Sequence, residues 1–326
     1  MSRSRKIAVL AILLPLAAGC REMQSALSPA GPEAERIALL FWAMTWGAAA
    51  IVLGLIVLTA VAILGPARWR QAIASERLVI GGGIAFPIVL LAALLSYGFT
   101  AMSANAPAPG ERALRIAIVG EQWWWRVTYQ APDGRRVESA NELHIPVGQP
   151  VILELTSADV IHSLWIPTLA GKLDMIPGRT TRLRVIASKP GVSRGQCAEY
   201  CGGAHALMSF FVVASDAAEF EAWLAREAAG AQQTAERSGE GLFQASGCGA
   251  CHAVRGTEAR GRIGPDLTHV GGRMSLAAAA LPNDTASLAR WIRDNQHIKP
   301  DNRMPPYRIF SEHELAELSA YLANLK

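Results

Sequence analysis

The chain has 326 residues, with 31 Lys and Arg against 27 Asp and Glu, and its mean hydropathy is +0.21. A formal net charge of +4 without a long basic run argues against nucleic acid as the main partner, because phosphate binding needs concentrated Lys and Arg. With 51% apolar residues the chain is not disordered as a whole, and the positive mean hydropathy indicates that apolar residues are concentrated in particular segments.

The first twenty residues have the pattern of an export signal. Arg3, Arg5 and Lys6 precede the apolar run 7–18, which has the length of a signal-peptide core and is short for a bilayer span. The run ends in LAAGC, which resembles a bacterial lipobox in which Cys20 would become a lipidated N-terminus. We therefore predict a lipoprotein signal peptide at 1–19 and an exported chain. An uncleaved signal anchor is the alternative.

Two long apolar segments predict a transmembrane hairpin within residues 20–100. Residues 37–64 carry no charged side chain, and as a helix they would extend about 40 Å, enough to cross a bilayer. Residues 78–99 form the second predicted span. Three arginines in the short connection place it in the cytoplasm by the positive-inside rule. Everything beyond residue 100 is therefore expected outside the cytoplasm.

Residues 111–214 have the pattern of an all-β domain. Five short runs rich in Val, Ile, Thr and Trp are separated by turn residues, and such runs predict the strands of a sandwich. The predicted strands are 114–130, 137–145, 151–156, 181–186 and 209–214.

One loop of this domain, GQCAEYCGGAHALM, holds several soft metal donors. Cys197 and Cys201 are four residues apart, His205 follows four residues later and Met208 three beyond that. Thiolate, imidazole and thioether together favour copper over magnesium or calcium. A disulfide is the alternative in an exported protein. It would not need His205 and Met208 at these offsets, nor His162 directly after a strand, so the loop predicts a copper site.

The string CAEYCGxxHxxM, with DVIHS before it, resembles the CuA domain of cytochrome c oxidase subunit II. The resemblance extends over residues 36–214 and includes GEQWWWRVTY and GKLDMIPGRTTRL. It implies a cupredoxin-like barrel with a dinuclear copper centre. The implied bridging ligands are Cys197 and Cys201, and the implied terminal ligands are His162, His205, Met208 and the backbone carbonyl of Glu199.

The same resemblance implies roles for two more side chains. Trp123 would be the residue through which electrons reach the copper centre, although packing against a core or a membrane explains most aromatic clusters. On one continuous strand, Trp123 and Trp125 would share a face and Trp124 would take the other. The carboxylate of Glu199 would meet a Mg²⁺ ion at the border with subunit I.

A second redox domain is predicted at 238–326, after a linker at 215–237. From residue 225 the linker is expected to be an exposed helix. The sequence Cys248-Gly249-Ala250-Cys251-His252 is a C-x-x-C-H motif. In such motifs two thiols bond to the haem vinyl groups and the adjacent His binds the iron. We therefore predict covalent haem c on Cys248 and Cys251, with His252 as an iron ligand.

The sixth iron ligand is either Met274 or Met304. Met304 lies in a Pro-containing stretch, 302–306, before a predicted final helix at 311–325, and this stretch resembles the Met-Pro ligand loop of small class I cytochromes c. Met274 opens an Ala-rich run that is predicted to be helical, where packing is the common role. We favour Met304 and an all-α class I cytochrome c domain. In those cytochromes a Pro carbonyl orients the His ring, which would be Pro265 here.

The order of lipobox, hairpin, CuA domain and fused cytochrome c resembles subunit II of caa3-type cytochrome c oxidases. The resemblance implies that electrons pass from a cytochrome c or bc1-type donor to haem c, to CuA and on to haem a of subunit I. Oxygen reduction and proton pumping would occur in subunit I, so no catalytic residue is expected in this chain. Subunits I and III are the implied partners, in a bacterial plasma membrane with both redox domains on the periplasmic side.

Other classes of protein share part of this pattern. A nitrous oxide reductase has a CuA loop, but its catalytic copper cluster needs many histidines, and three of the seven are already assigned here. A quinol oxidase subunit II lacks these copper ligands. A CuA-containing nitric oxide reductase subunit and a non-enzymatic membrane-anchored copper-binding module remain as alternatives. The four unassigned histidines, 144, 269, 297 and 313, are predicted to lie on the surface.

Overall fold

The computed structural model describes residues 23–104, 113–130, 134–231 and 237–326. They fall into two compact units. One unit is Glu35–Ala108, and the other joins the N-terminal segment up to Ala34 with everything from Pro109 onward. The predicted signal peptide at 1–19 and the predicted lipidation of Cys20 lie outside the described residues.

Two helices are long and apolar enough to cross a membrane, as the sequence predicts. Their apolar side chains are mostly exposed, which suits surfaces that contact lipid or other subunits. Ser75 begins the second of them, because its hydroxyl accepts a hydrogen bond from the N–H of Leu78 at 3.4 Å. The helical segments are α1 (Pro32–Leu64), α2 (Ala67–Ile73), α3 (Glu76–Ile80) and α4 (Phe86–Ala104), and a π-helical turn, Gly81–Ala85, joins the last two.

Two five-stranded sheets pack face to face in the β domain. The strands are β1 (Leu114–Glu121), β2 (Trp124–Gln130), β3 (Arg136–Ala140), β4 (Glu142–Pro146), β5 (Val151–Ser157), β6 (His162–Trp165), β7 (Leu173–Met175), β8 (Thr181–Val185), β9 (Gly191–Cys197) and β10 (Ser209–Ser215). One sheet has the order β3-β2-β1-β5-β8 and the other β4-β10-β9-β6-β7. Ile118 and Leu155 from the first sheet share one buried core with Phe210 from the second. This arrangement confirms the predicted sandwich.

Two of the predicted strands are each divided in the structure. The run 114–130 forms β1 and β2, which pair antiparallel across a turn at Gln122 and Trp123. The run 137–145 forms β3 and β4, which belong to different sheets. Asn141 lies between them with a φ of 60°, a left-handed conformation that Asn tolerates. Its backbone and side chain both bond to the backbone of Trp125, so the chain changes sheet at this residue.

The segment predicted as a linker begins with a helix that belongs to the β domain. This helix is α5 (Ala217–Ala228). Phe220 and Leu224 lie four residues apart on one face and are buried in the β-domain core. Trp223 packs on His144 with ring centroids 3.9 Å apart. The helix expected from 225 is present up to 228, with Ala225 and Arg226 exposed and Glu227 buried. The linker predicted at 215–237 therefore begins with a segment whose apolar face packs on the β domain.

The C-terminal domain consists mainly of three helices, α6 (Arg237–Ala245), α7 (Thr285–Ile298) and α8 (Glu312–Asn324). Ser311 begins α8 with a capping box that includes the side chain of Glu314. Phe243, Leu315 and Tyr321 are among the buried residues of its core. The helical architecture predicted for 238–326 is confirmed.

The Ala-rich run after Met274 is not helical, contrary to the prediction. Ser275–Leu276 forms a short strand, β11, and pairs with β12, Leu281–Pro282. Between them Ala277, Ala278 and Ala279 have φ values of 53°, 61° and 60°. High helix propensity is overridden here because the carbonyls of this turn bond to other segments.

The β domain and the C-terminal domain lie in the same compact unit and contact each other directly. The backbone N–H of Met274 donates to the Glu142 carboxylate at 2.8 Å. The backbone N–H of Ser209 donates to the carbonyl of Ala278 at 3.1 Å. These contacts fix one domain against the edge of the other.

Candidate copper and haem sites

Two neighbouring strands and one loop bring the predicted copper ligands together. His162 is the first residue of β6 and Cys197 is the last residue of β9. The two strands pair antiparallel, with Leu164 opposite Cys197. Neither strand is predicted from the sequence, because β6 is short and β9 is rich in polar residues and Gly. The loop that follows β9 carries the remaining ligands.

The donor atoms surround the two thiols at short distances. The Sγ atoms of Cys197 and Cys201 are 3.8 Å apart, and both cysteines are free. Cys197 Sγ lies 3.8 Å from His162 Nδ1 and 3.2 Å from the Glu199 carbonyl oxygen. Cys201 Sγ lies 3.5 Å from the Nδ1 atom of His205.

Met208 completes the set, with its Sδ atom 3.9 Å from Cys201 Sγ. Each thiol therefore has the other thiol on one side and terminal donors on the other. The ligand atoms of His162, Cys197 and Cys201 lie within 4.8 Å of one another, close enough to hold a metal ion. Sulfur and imidazole donors fit copper, and bridging thiolates fit a dinuclear centre.

The protonation of the two thiols is coupled. The hydrogen bond with Cys201 lowers the pKa of Cys197 to about 3 despite burial. The pKa of Cys201 is raised in turn by the hydrogen bond with Cys197. Burial lowers the pKa of His162, but its contacts with Cys197 and Asp159 outweigh burial and leave this pKa raised. The contacts of Cys197 therefore favour its thiolate, the form that binds a metal.

Two residues that the sequence did not indicate hold His162 in place. Its Nε2 atom donates to Asp159 Oδ1 at 2.8 Å, which leaves Nδ1 directed at Cys197. Gly120 in β1 also lies against the ring, because a Cβ atom there would be 2.7 Å from His162 Cδ2. The roles of Asp159 and Gly120 follow from contacts in the folded chain. The string DVIHS includes Asp159, but the string alone does not show that this residue bonds to His162.

Trp123 lies directly behind the copper loop. It is buried, with 6% of its surface exposed, and its Nε1 donates to the carbonyl oxygen of Cys201 at 3.0 Å. Gln122 Nε2 donates to the same oxygen at 2.8 Å. Trp123 lies in a turn, and the predicted single strand is absent. Trp125 is also buried, whereas Trp124 is half-exposed under the guanidinium of Arg126.

The C-terminal domain brings the predicted haem-binding residues around one apolar cavity. Cys248, Cys251, His252 and Met304 all line it. His252 Nδ1 donates to the carbonyl of Pro265 at 2.8 Å, which leaves Nε2 for the iron. Burial lowers the pKa of His252, and this favours the neutral ring that binds metals.

The detailed shape of this cavity also fits a haem. A Cβ atom at Gly264 would lie 2.5 Å from His252 Cε1, so only Gly leaves room for the ring in this position. Met274 is outside the cavity lining, and 44% of its surface is exposed. The geometry therefore favours Met304 over Met274 as the sixth ligand.

One wall of the cavity is supplied by the β domain. Gln122, Trp123 and Trp124 line it together with Lys299 of the C-terminal domain. The residues that would hold haem and the residue that bonds to the copper loop therefore share a single cavity.

Comparisons with known proteins match both domains. Residues 129–215 match the family model described as cytochrome C oxidase subunit II, periplasmic domain, and residues 237–326 match that of cytochrome c. Cytochrome c oxidase subunit 2 of Alkalihalophilus pseudofirmus is 34% identical over 94% of this chain and 93% of its own length. The chain belongs to the cytochrome c oxidase subunit II family.

Other members of the family match shorter parts of the chain. Subunit 2 of Bacillus subtilis is 34% identical over 66% of this chain and 63% of its own length. The crystal structure of the periplasmic domain of subunit II of cytochrome oxidase (CoxB) of Bradyrhizobium japonicum is 32% identical, with a TM-score of 0.35. It covers 37% of this chain and 96% of that one.

Membership of the subunit II family decides several predictions. The chain is the part of an oxidoreductase that carries CuA and, on its cytochrome c domain, haem c. Its partner is subunit I of the oxidase, and it is a membrane-anchored protein with a periplasmic domain. The prediction of a subunit II with a fused cytochrome c is confirmed, and the comparisons support neither a nitric oxide reductase subunit nor a non-enzymatic copper module.

Two of the unassigned histidines of this subunit II are not on its surface. His144 is 9% exposed and His269 is 8% exposed, so the prediction for both is wrong. His144 is covered by Trp223 and bonds to Glu142 at 2.7 Å. His297 and His313 are exposed, as predicted.

Proposed function

We propose that this subunit II receives electrons on haem c and delivers them through Trp123 to CuA, for subunit I to use. We assign the haem to Cys248, Cys251, His252 and Met304. We assign the copper centre to Cys197, Cys201, His162, His205, Met208 and the carbonyl of Glu199. The observation that carries the proposal is the single cavity lined by both the haem-binding residues and Trp123.

A haem held by Cys248, Cys251, His252 and Met304, and copper held by the loop ligands, would supply one-electron transfer chemistry. The protein residues supply fixed geometry. Pro265 and Gly264 hold the His252 ring in one orientation, while Asp159 and Gly120 do the same for His162. Rigid ligands reduce the rearrangement that accompanies each change of charge.

Trp123 supplies the connection between the two sites. Its ring lines the haem cavity, and its Nε1–H donates to the backbone carbonyl of Cys201, one of the two cysteines of the copper loop. A continuous path of covalent bonds and one hydrogen bond therefore runs from the cavity wall to the copper loop. Trp124 lines the same cavity, but its ring lies against Arg126 at 4.7 Å.

The route is tested with the oxidase complex that contains the full chain. An electron is injected photochemically into haem c, and haem oxidation and CuA reduction are followed together. Trp123→Phe keeps a ring but loses the N–H donor, and it should slow the transfer about tenfold or more, since small losses of geometry have large effects on rate. Trp124→Phe is the control and should transfer at the normal rate. Equal rates for both variants and the unmodified chain would contradict the route.

The position of the chain in the cell forms a second part of the proposal. Arg68 and Arg70 before α3 and Arg77 in its first turn support a cytoplasmic connection, and we propose that both redox domains lie on the periplasmic side of a bacterial plasma membrane. Protease added to spheroplasts should then remove the covalently bound haem from the membrane, and full protection would contradict this orientation. Cleavage after residue 19 and lipidation of Cys20 stay predictions, as do the domain bounds 111–214 and 238–326.

The partners beyond subunit I also belong to the proposal. A cytochrome c or a bc1 complex is the proposed donor, and subunit III is a proposed neighbour. In this structure the Glu199 carboxylate lies 3.2 Å from Lys172 Nζ, and both side chains are about half exposed. The contact of Glu199 with Mg²⁺ at the subunit I border stays a prediction.

A further inference from the structure

Lys299 belongs to the C-terminal domain, but its charged end lies against the β domain. The residue directly follows α7 and is 3% exposed. Its Nζ atom donates hydrogen bonds to the carbonyl oxygens of Trp123 at 2.6 Å, Leu207 at 3.0 Å and Ala277 at 3.0 Å. Two of these acceptors belong to the β domain, so one side chain joins the two domains.

Burial of this ammonium group is unfavourable in itself. Lys is among the residues that are almost never fully buried, because the charged form loses its hydration. Burial lowers the pKa of Lys299 to about 7, although Cys201 opposes this effect. An apolar side chain of similar size would satisfy packing alone. The three carbonyl acceptors therefore indicate a positional role.

The turn that accepts one of these bonds has an unusual backbone. Residues 277–279 are alanines in the left-handed region, which is unfavourable for a residue with a Cβ. Its three carbonyls point toward partners at the domain interface. Ala277 accepts from Lys299, Ala278 accepts from the Ser209 N–H at 3.1 Å, and Ala279 accepts from Arg194 at 3.4 Å. The turn and Lys299 therefore act on the same face of the β domain.

This contact lies at the point where the two redox sites meet. Lys299 and Trp123 line the cavity that contains His252 and Met304. On its other side, Trp123 bonds to Cys201. Lys299 therefore fixes a residue that lines the haem cavity and also bonds to the copper loop.

We propose that Lys299 is a positioning residue for electron transfer, whose three hydrogen bonds hold Trp123 and the copper loop at a fixed place relative to haem c. The inference rests on the proposed route through Trp123. The ammonium group takes no part in the redox step itself. Without it, the two domains remain linked by the chain and by contacts such as that of Met274 with Glu142, but they spend less time in the arrangement that allows transfer.

The test replaces Lys299 by Met in the full oxidase complex. Lys299→Met keeps the length and apolar stem of the side chain but removes all three donors. The rate of transfer from haem c to CuA should fall about tenfold or more, since loss of charged hydrogen bonds shifts a docking equilibrium by at least that factor. The EPR signal of CuA, the haem absorption spectrum and the rate of haem reduction by an external dye should not change. Lys189→Met, at an exposed position, is the matched control.

A second readout does not depend on electron transfer. Hydrogen exchange of the Ser209 amide, which bonds across the domain interface, should become about tenfold faster in Lys299→Met and stay unchanged in Lys189→Met. A transfer rate and an exchange rate within twofold of the unmodified complex would overturn the proposal. If Trp123→Phe slows transfer and Lys299→Met does not, the positioning role of Lys299 is contradicted and the route through Trp123 stands. If Trp123→Phe has no effect, the proposed route through Trp123 is itself contradicted.

Folding of the variant is checked by the covalent haem and the CuA signal in the same sample. If Lys299→Met loses both, Lys299→Gln is measured in its place, because its amide keeps two N–H donors on a shorter side chain. Loss of both centres in Lys299→Gln as well would overturn a role confined to positioning.

Discussion

Substitution of Gly120 by Ala tests how tightly the β domain holds a copper ligand. Gly120 lies in β1, between Trp125 of β2 and Ser157 of β5 in the sheet. An added Cβ would lie 2.7 Å from Cδ2 and 3.0 Å from Cγ of His162. The strand is paired on both sides, so the imidazole ring is the part that must move.

The size of that movement follows from the distances. An ordinary contact begins at 3.4 Å, so the ring of His162 must retreat by about 0.7 Å. Metal–ligand distances tolerate only about 0.2 Å. Asp159, hydrogen-bonded to Nε2 of the ring at 2.8 Å, restricts a compensating rotation. Loss of a residue that orients a metal ligand typically lowers metal affinity about 10- to 100-fold. Because Gly120→Ala displaces the ligand itself, copper affinity should fall at least about 100-fold.

The assay is a copper titration of the metal-free full chain, followed by the mixed-valence EPR signal of CuA. Overpacking costs about 1–3 kcal/mol, so the metal-free Gly120→Ala variant should stay folded with a lower thermal midpoint. Gly241→Ala is the control, because no atom lies within 4 Å of an added Cβ there. A native EPR signal with unchanged affinity in Gly120→Ala would refute the placement of His162 as a ligand.

Three further predictions follow from the same structure. Asp159→Asn leaves the ring of His162 with a weaker partner and should reduce copper affinity about 10- to 100-fold in competition with a chelator; equal affinity would contradict this role. Gly264→Ala should displace His252 and change the haem absorption spectrum while covalent haem is retained. An unaltered spectrum would contradict the assignment of His252 as an iron ligand. Burial raises the pKa of Glu142, but its contacts with His144, the backbone N–H of Met274 and Arg273 together outweigh burial and leave this pKa below the usual value of 4.5. The Glu142 carboxylate therefore stabilises the fold above pH 4.5, and this effect is lost as the pH falls through the lowered pKa. In Glu142→Gln the thermal midpoint should fall less steeply with acid. The same acid dependence in the variant and the unmodified chain would contradict this role of Glu142.

Much of the fold could be predicted because its determinants are local. The two apolar helices follow from long runs without charge, and α8 follows from apolar spacing after a capping Ser. Strands were harder, since pairing joins residues that are distant in sequence. The division of 137–145 depends on Asn141, whose left-handed turn is stabilised by bonds to Trp125, sixteen residues away.

Helix propensity failed where tertiary contacts outweighed it. Ala277–Ala279 would favour a helix in isolation, but they form a left-handed turn. The carbonyl of Ala277 bonds to Lys299, and those of Ala278 and Ala279 bond across the domain interface. In α5 the helix was expected, but its packing was not. Phe220 and Leu224 form an apolar face that is buried in the β-domain core, whereas a linker would be exposed. In both cases the partner surface decided the outcome.

The sequence by itself determined the chemistry of this subunit II. Cys248, Cys251 and His252 fall within five residues, and the copper loop places its thiols, imidazole and thioether within twelve, so chain connectivity alone keeps these donors close. Only the tertiary structure decided what surrounds them. Lys299 and Trp123 are 176 residues apart, and their contact exists because two separately folded domains pack at one edge. Such a contact depends on the shape of both packed surfaces, which no local pattern encodes.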